Sequence, residues 1–276
     1  MKKLILSLFI VLSSLPAFAE GKESAFDRIM RTGVIRCGYY VFPPATYRDP
    51  NTGELSGFTI DMMNEIAARA DLKIEWAEET NFSNWIPGIK TGRFDVSCTP
   101  NWPEITQARA VAFSVPMFFA GLSPAVRADD PRFKTDDLSV FNSEDITFAA
   151  QDGEAAIPII KSYFPKANLK LLPPDGDISN FALEVLTGKA DVFLTDANGE
   201  VEFGKTNENK IRLVAKDKPL KYQSFTLAVN RDELILKDYL DNAILELIYD
   251  GTMDHLLRKW ESKPGEIFMR VVNPAQ

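Results

Sequence analysis

The chain has 276 residues, 45% of them hydrophobic, with 31 basic and 39 acidic residues giving a formal net charge of −8. That length holds one large domain or two smaller ones, and an acidic chain without a basic tract argues against nucleic acid or anionic lipid as a partner. One histidine and two separated cysteines give no transition-metal cluster of usable spacing, so neither a metal nor another cofactor is expected.

The N-terminus reads as an export signal. Lys2 and Lys3 precede an apolar run from Leu4 to Leu12, too short to span a bilayer. Pro16 and then Ala17-Phe18-Ala19 form a small-residue cleavage pattern. Cleavage is predicted before Glu20, removing residues 1–19. That takes away two lysines and no acid, so 29 basic against 39 acidic residues leave a charge of −10. The periplasm is the expected address.

Strands and helices then alternate. VIRCGYYV (Val34 to Val41) is predicted as a strand. Thr59 to Ala70 is predicted as a helix, because Ile60, Met63 and Ala67 recur at helical spacing. LKIEWAE is a strand of alternating pattern, NWIPGIKTG a short helix stopped by Gly92, and RFDVSCT the next strand. This order predicts a parallel sheet with crossover helices. Cys37 and Cys98 fall on two of these strands. An exported pair suggests a disulfide. Adjacent parallel strands, however, rarely present bridging geometry, so two buried free thiols are the favoured expectation.

A local grammar recurs. TGRFDVSCT (Thr91 to Thr99) and TGKADVFLT (Thr187 to Thr195) each join Thr-Gly, a basic residue, and Asp-Val opening a strand that closes on threonine. The match is short enough to be an ordinary helix-to-strand turn, but its placement favours two lobes of similar build. Residues 119–129 and 221–230 are extended and apolar, unlike a flexible linker. The predicted fold is α/β with two lobes, each a mostly parallel sheet with flanking helices. Lobe 1 is 20–123 plus 226–276, lobe 2 is 124–225, and the two extended segments are strand-like hinges. Two terminal helices, separated by Gly251, pack back on lobe 1.

No enzyme motif stands out. His255 lies in a polar terminal helix and is expected at the surface. No G-x-G-x-x-G or Walker loop occurs. What remains is a set of polar and aromatic groups at strand ends, where open α/β sheets bind ligands. Thr99, Asn101 and Trp102 end one strand, and Tyr39, Tyr40 and Phe42 end another. In lobe 2, Gly153 and Glu154 follow the strand ITFAA, and Asp196 ends the strand VFLT. With Arg109 and Trp85 these predict a small-molecule site in an interlobe cleft. Each has an ordinary alternative: a surface ion pair for Arg109, a helix N-cap for Asp196, core packing for Trp85 and Trp102, and helix N-terminal support for Glu154.

GYYVFPPATYRDPNTGELSGFTIDMMNEIAARA, NWIPGIKTGRFDVSCT, ITQARAVAFSVPMF, LTGKADVFLTD and YDGTMDHLLRKW, in this order and spacing, resemble the bacterial extracellular solute-binding proteins of family 3, which serve polar-amino-acid ABC importers. The resemblance implies a type II periplasmic-binding fold whose lobes close on a solute. It implies a binding protein and not an enzyme, a monomer, and a membrane permease as partner. The solute would be an amino acid or a related amine or carboxylate. Arg109 stands where the family places its carboxylate-binding arginine, Asp196 where it places an acid for the ligand ammonium, and Thr99 near a ligand-contacting hydroxyl. There are departures. Pro43-Pro44 is followed by Ala45 where the family has a stacking phenylalanine, a ring that Tyr39, Phe42, Phe82, Trp85 or Trp102 could replace. Gly153 is followed by Glu154 and Ala155 where it has two threonines. Pro100 to Pro103 replaces a run of small residues, and Arg109 to Phe113 is one residue short. Glu154 and the aromatic residues would equally suit a cationic solute. Two rivals stay open: a dehydratase of prephenate-like substrates on the same scaffold, and an accessory or sensor protein.

Overall fold

The computed structural model describes residues 23–173, 179–200, 203, 210–265 and 267–271. The predicted signal segment, 1–19, lies outside them. Helix α1 (Ala25–Thr32) leads into strand β1 (Val34–Tyr39), a hairpin of β2 (Tyr47–Arg48) and β3 (Leu55–Ser56), helix α2 (Phe58–Arg69), β4 (Lys73–Glu79), α3 (Trp85–Thr91) and β5 (Val96–Asn101). Next come β6 (Val111–Phe113), the long β7 (Phe118–Arg127), β8 (Thr147–Gln151), α4 (Ala156–Tyr163), β9 (Asn168–Leu172), α5 (Asn180–Leu186), β10 (Val192–Thr195) and β11 (Ile211–Leu213). The second long strand, β12 (Lys221–Asn230), is followed by α6 (Leu234–Tyr249), α7 (Thr252–Arg258) and β13 (Met269–Arg270).

Eight of the strands form one path in the order β4-β1-β5-β12-β7-β10-β8-β9, with β6, β11 and β13 attached beside it and β2-β3 a separate hairpin. At one end β4, β1 and β5 are parallel, and at the other β9, β8 and β10 are parallel. The antiparallel pair β7 and β12 joins them, with Phe118 opposite Phe225 and Leu122 opposite Lys221. Beyond that pairing β12 continues against β5, and β7 against β10. Each long strand therefore pairs in both halves of the sheet.

Two large cores form, beside two smaller buried clusters. Phe58, Phe118, Phe225 and Phe268 anchor the first with residues from α2 and α6. There Phe118 stacks on Phe225 with ring centroids 4.6 Å apart. Ile60, Met63 and Ala67, the predicted apolar face of α2, are all buried. Phe133, Phe141, Phe148 and Phe164 anchor the second core. On β7, Phe118 and Ala120 pack into the first core, and Leu122 and Val126 into the second.

The repeated Thr-Gly-basic-x-Asp-Val motif has one structural meaning in both halves. Gly92 and Gly188 take left-handed conformations (φ 71° and 70°) that L side chains rarely adopt, and so turn the chain out of the preceding helix. The aspartate then grips the neighbouring strand. Asp95 N–H donates to Arg36 O and its carboxylate accepts from Arg36 N–H, both at 2.9 Å. Asp191 does the same with Thr147, again at 2.9 Å for both bonds. Each carboxylate also meets arginine: Arg28 and Arg36 for Asp95, Arg132 for Asp191. Asp95 is buried, so Asp95→Ala leaves two guanidinium groups and a strand N–H without their acceptor. A loss of about 3 kcal/mol is expected, measured as a lowered urea midpoint with an unchanged slope.

Cys37 and Cys98 form a disulfide, with Cα atoms 5.4 Å apart. This overturns the expectation of free thiols. β1 and β5 are adjacent and parallel as predicted, but the register pairs Cys37 with Val96. Val96 and Cys98 share a face, so the two sulfurs meet diagonally rather than as a directly opposed pair.

Candidate functional site

The carboxyl ends of β1, β4, β5, β8 and β10 converge on a cavity of about 970 Å³ lined from both halves. This is the position that open α/β sheets favour for ligands. The first half supplies Tyr40, Phe42, Phe82, Trp85, Asn101 and Trp102. The second supplies Gly153, Glu154, Asp196 and Asn198. The two halves touch across the cavity mouth. The Asn198 side-chain amide donates to the Pro43 carbonyl. Gly153, at φ +83°, brings its backbone so close to Phe82 that an added Cβ would sit 3.1 Å from the Phe82 carbonyl oxygen.

Seven of the ten predicted site residues line the cavity: Phe42, Trp85, Asn101, Trp102, Gly153, Glu154 and Asp196. Asn101 is held by donating to the Thr99 carbonyl (2.8 Å) and to Ser97 Oγ (3.1 Å). Trp102 is half-buried and packs edge-on against Phe225 at 5.9 Å, so it serves cavity and core together. Trp85 does likewise, within a smaller cluster that includes Phe94.

Tyr39, Thr99 and Arg109 do not line the cavity. Alternation along β1 sends Tyr39 to the opposite face, edge-on to Trp76 at 5.9 Å, and Tyr40 inward. Thr99 is buried, and its hydroxyl accepts from Tyr40 N–H (2.8 Å) and donates to Tyr40 O (3.2 Å). It positions the cavity-lining tyrosine. Arg109 is exposed. It ends the 3₁₀ turn Gln107–Arg109, where three residues complete a turn and Gln107 is the one that faces the cavity. Arg231 donates to the Arg109 carbonyl at 2.8 Å and fixes that turn. Arg109→Ala is therefore expected to change solute affinity less than about threefold. A loss beyond a hundredfold in titration calorimetry would restore the carboxylate role expected of it.

The electrostatics favour positive charge. Burial pushes the Glu154 carboxyl up to about 7, against the opposing hydrogen bond its Oε2 accepts from Gln151 N–H at 3.0 Å. Burial likewise pushes Asp196 up to about 6, although backbone N–H groups, Gly199 among them, donate to it. Asp196 thus caps the helical residues 197–200 and lines the cavity as well. Burial and then the Glu154 charge raise the Tyr40 phenol, whose hydroxyl donates to Pro100 O at 3.0 Å. Among the described lining residues Arg48 is the one cation, and it pairs with Glu79 at 2.9 Å.

Gln107 and Asn198 were not anticipated. No periodicity marks them, since Gln107 opens a three-residue 3₁₀ turn and Asn198 lies in the short helical stretch after β10, segments whose direction only the assembled lobes define. Tyr40 was available from strand parity, because Cys37 and Tyr39 share the opposite face.

The sequence profile described as "Bacterial extracellular solute-binding proteins, family 3" matches residues 35–263. A Haemophilus influenzae protein named "Probable amino-acid ABC transporter-binding protein" is 24% identical over 94% of this chain and 97% of its own length. Cyclohexadienyl dehydratase of Pseudomonas aeruginosa is 25% identical over 88% of each chain. Among solved structures, a mutant of arginine-bound ArgBP from T. maritima aligns with a TM-score of 0.68 at 26% identity, covering 81% of this chain and 100% of that one.

Proposed function

The chain belongs to the bacterial extracellular solute-binding proteins of family 3, and from that membership we propose that it captures a small positively charged solute between its halves and delivers it to an ABC importer. One observation carries the charge assignment. Two acids, half-buried Glu154 and buried Asp196, face a cavity walled by aromatic rings, whose described basic lining residue is already paired. Ring faces attract ammonium and guanidinium groups, and a cation beside a buried carboxylate offsets its desolvation. The arginine bound by the T. maritima relative is a solute of this charge, and the H. influenzae relative is named for an ABC transporter. In this proposal the halves are 20–123 with 226–276, and 124–225. They close about β7 and β12, and the protein works in the periplasm after loss of residues 1–19.

Thermal unfolding with cationic, neutral and acidic amino acids and amines tests the charge assignment. A cationic compound at a hundred times its Kd adds about 2.7 kcal/mol, on the order of 5–10 °C for a protein of this size. Stabilisation by acidic compounds alone would overturn the assignment.

A dehydratase reading has one observation in its favour. A carboxyl that titrates near 7 can serve as a general acid at neutral pH, and one relative is such an enzyme. Against it, a prephenate-like substrate is a dicarboxylate and would enter an acidic cavity. A turnover assay with prephenate separates the two, product formation favouring the enzyme.

A further inference from the structure

We propose that the solute is an alkyl ammonium compound with two positive charges and no carboxylate, a proposal that rests on the cation assignment above. An amino-acid carboxylate needs a fork of charged or N–H donors. The arginine expected to provide one, Arg109, is exposed and outside the cavity, and Gln107 faces inward in its place. At the end of β8 and just after it, the Gln151 N–H already donates to the protein's own Glu154 carboxylate at 3.0 Å, and the Asp152 and Glu154 N–H groups donate to Leu172 O and Gln151 O. Arg48 is paired with Glu79. An entering carboxylate would meet Asp49, Glu79, Glu154 and Asp196 with no unengaged cation among the described lining residues.

The uncharged groups point the same way. Asn198 is buried, and its amide orientation is set by donation to Pro43 O, which leaves Oδ1 buried without a hydrogen-bond partner among the described residues. Gln107 Oε1 is buried and unpartnered in the same sense. Both are acceptors on the cavity wall that lack a hydrogen. An ammonium group brings N–H donors to them, and a carboxylate brings none. Glu154 and Asp196, which burial pushes up to about 7 and 6, each gain from an adjacent positive charge. Two ammonium groups match two acids, and Tyr40, Phe42, Phe82 and Trp102 provide apolar surface for the carbon chain between them.

Titration calorimetry on the purified, ligand-stripped protein tests this with matched pairs that differ by a carboxylate: cadaverine against lysine, and agmatine against arginine. The decarboxylated member of each pair is expected to bind at least about tenfold tighter, and cadaverine tighter than pentylamine by a similar factor. Glu154→Gln should weaken cadaverine at least about 30-fold and Asp196→Asn at least about tenfold, while circular dichroism shows a folded chain. Lysine and arginine binding as tightly as their amines would overturn this inference and leave the cation assignment standing. Equal binding of pentylamine and cadaverine would remove the second charge. If all five compounds fail while a neutral or acidic solute binds, or if nothing binds, the inference and the cation assignment fall together.

Discussion

The Glu154→Gln protein is expected to bind a cationic solute about 30-fold or more weakly than the parent protein, and to lose most of the pH dependence of binding. The size follows from removing one partner of a desolvated charge pair, on the order of 2–5 kcal/mol. The pH dependence follows from the Glu154 carboxyl, which titrates near 7 in the empty cavity because burial disfavours its charge. A bound ammonium favours the ionised form, so at pH below 7 binding must first expel a proton. Affinity should then fall on acidification from pH 8 to 6, approaching tenfold per pH unit at the lower end. Stability of the unliganded protein runs the other way. The folded carboxyl, at about 7, lies above its ordinary value of 4.5. The folded chain therefore holds a proton between those values that the unfolded chain releases. Its stability falls as pH rises through that window and is flat above it, a change of about 3 kcal/mol. The Glu154→Gln substitution should flatten both profiles, leaving the smaller share due to Asp196, which titrates near 6. Parallel affinity and urea-unfolding series at pH 5, 6, 7 and 8 check this. Affinity that rises on acidification would assign the pH dependence to another group.

Elements with a strong periodic signature were legible in the sequence. The face of α2 followed from the spacing of Ile60, Met63 and Ala67, all buried. The duplicated turn proved to be a duplicated device, with Asp95 and Asp191 each gripping the backbone of the neighbouring strand. The cavity wall was legible at some strand ends, as for Asn101, Glu154 and Asp196, but not at Tyr39 and Thr99, which sit at strand ends without lining it. It was not legible at Arg109, because a 3₁₀ turn lets residues two apart face different directions, and no pattern in one chain shows which faces inward. Cys37 and Cys98 failed for a related reason. Strand adjacency could be inferred from element order, but register could not, and a displacement of two residues decided whether the sulfurs met.

That disulfide carries the second large expected effect. Cys37→Ala/Cys98→Ala is expected to lower stability by about 4 kcal/mol, because the bond closes a loop with a sequence separation of 61 and so restricts the unfolded chain. For a protein of this size that corresponds to about 10 °C in Tm. Solute affinity should move far less, within about threefold. The bond lies in the buried first core, below the strand ends that reach the cavity. Those ends have their own ties: the two hydrogen bonds between Thr99 and the Tyr40 backbone at 2.8 and 3.2 Å, and that from the Tyr40 hydroxyl to Pro100 O at 3.0 Å. Thr99→Val should show the complementary pattern. It removes both backbone ties to Tyr40 and should impair binding more than the cysteine pair does, with a smaller fall in Tm. Differential scanning calorimetry and binding titrations on both variants decide between a bond that restrains the unfolded chain and one that shapes the site. A folded cysteine variant that no longer binds, with Tm unchanged, would assign the disulfide to the site.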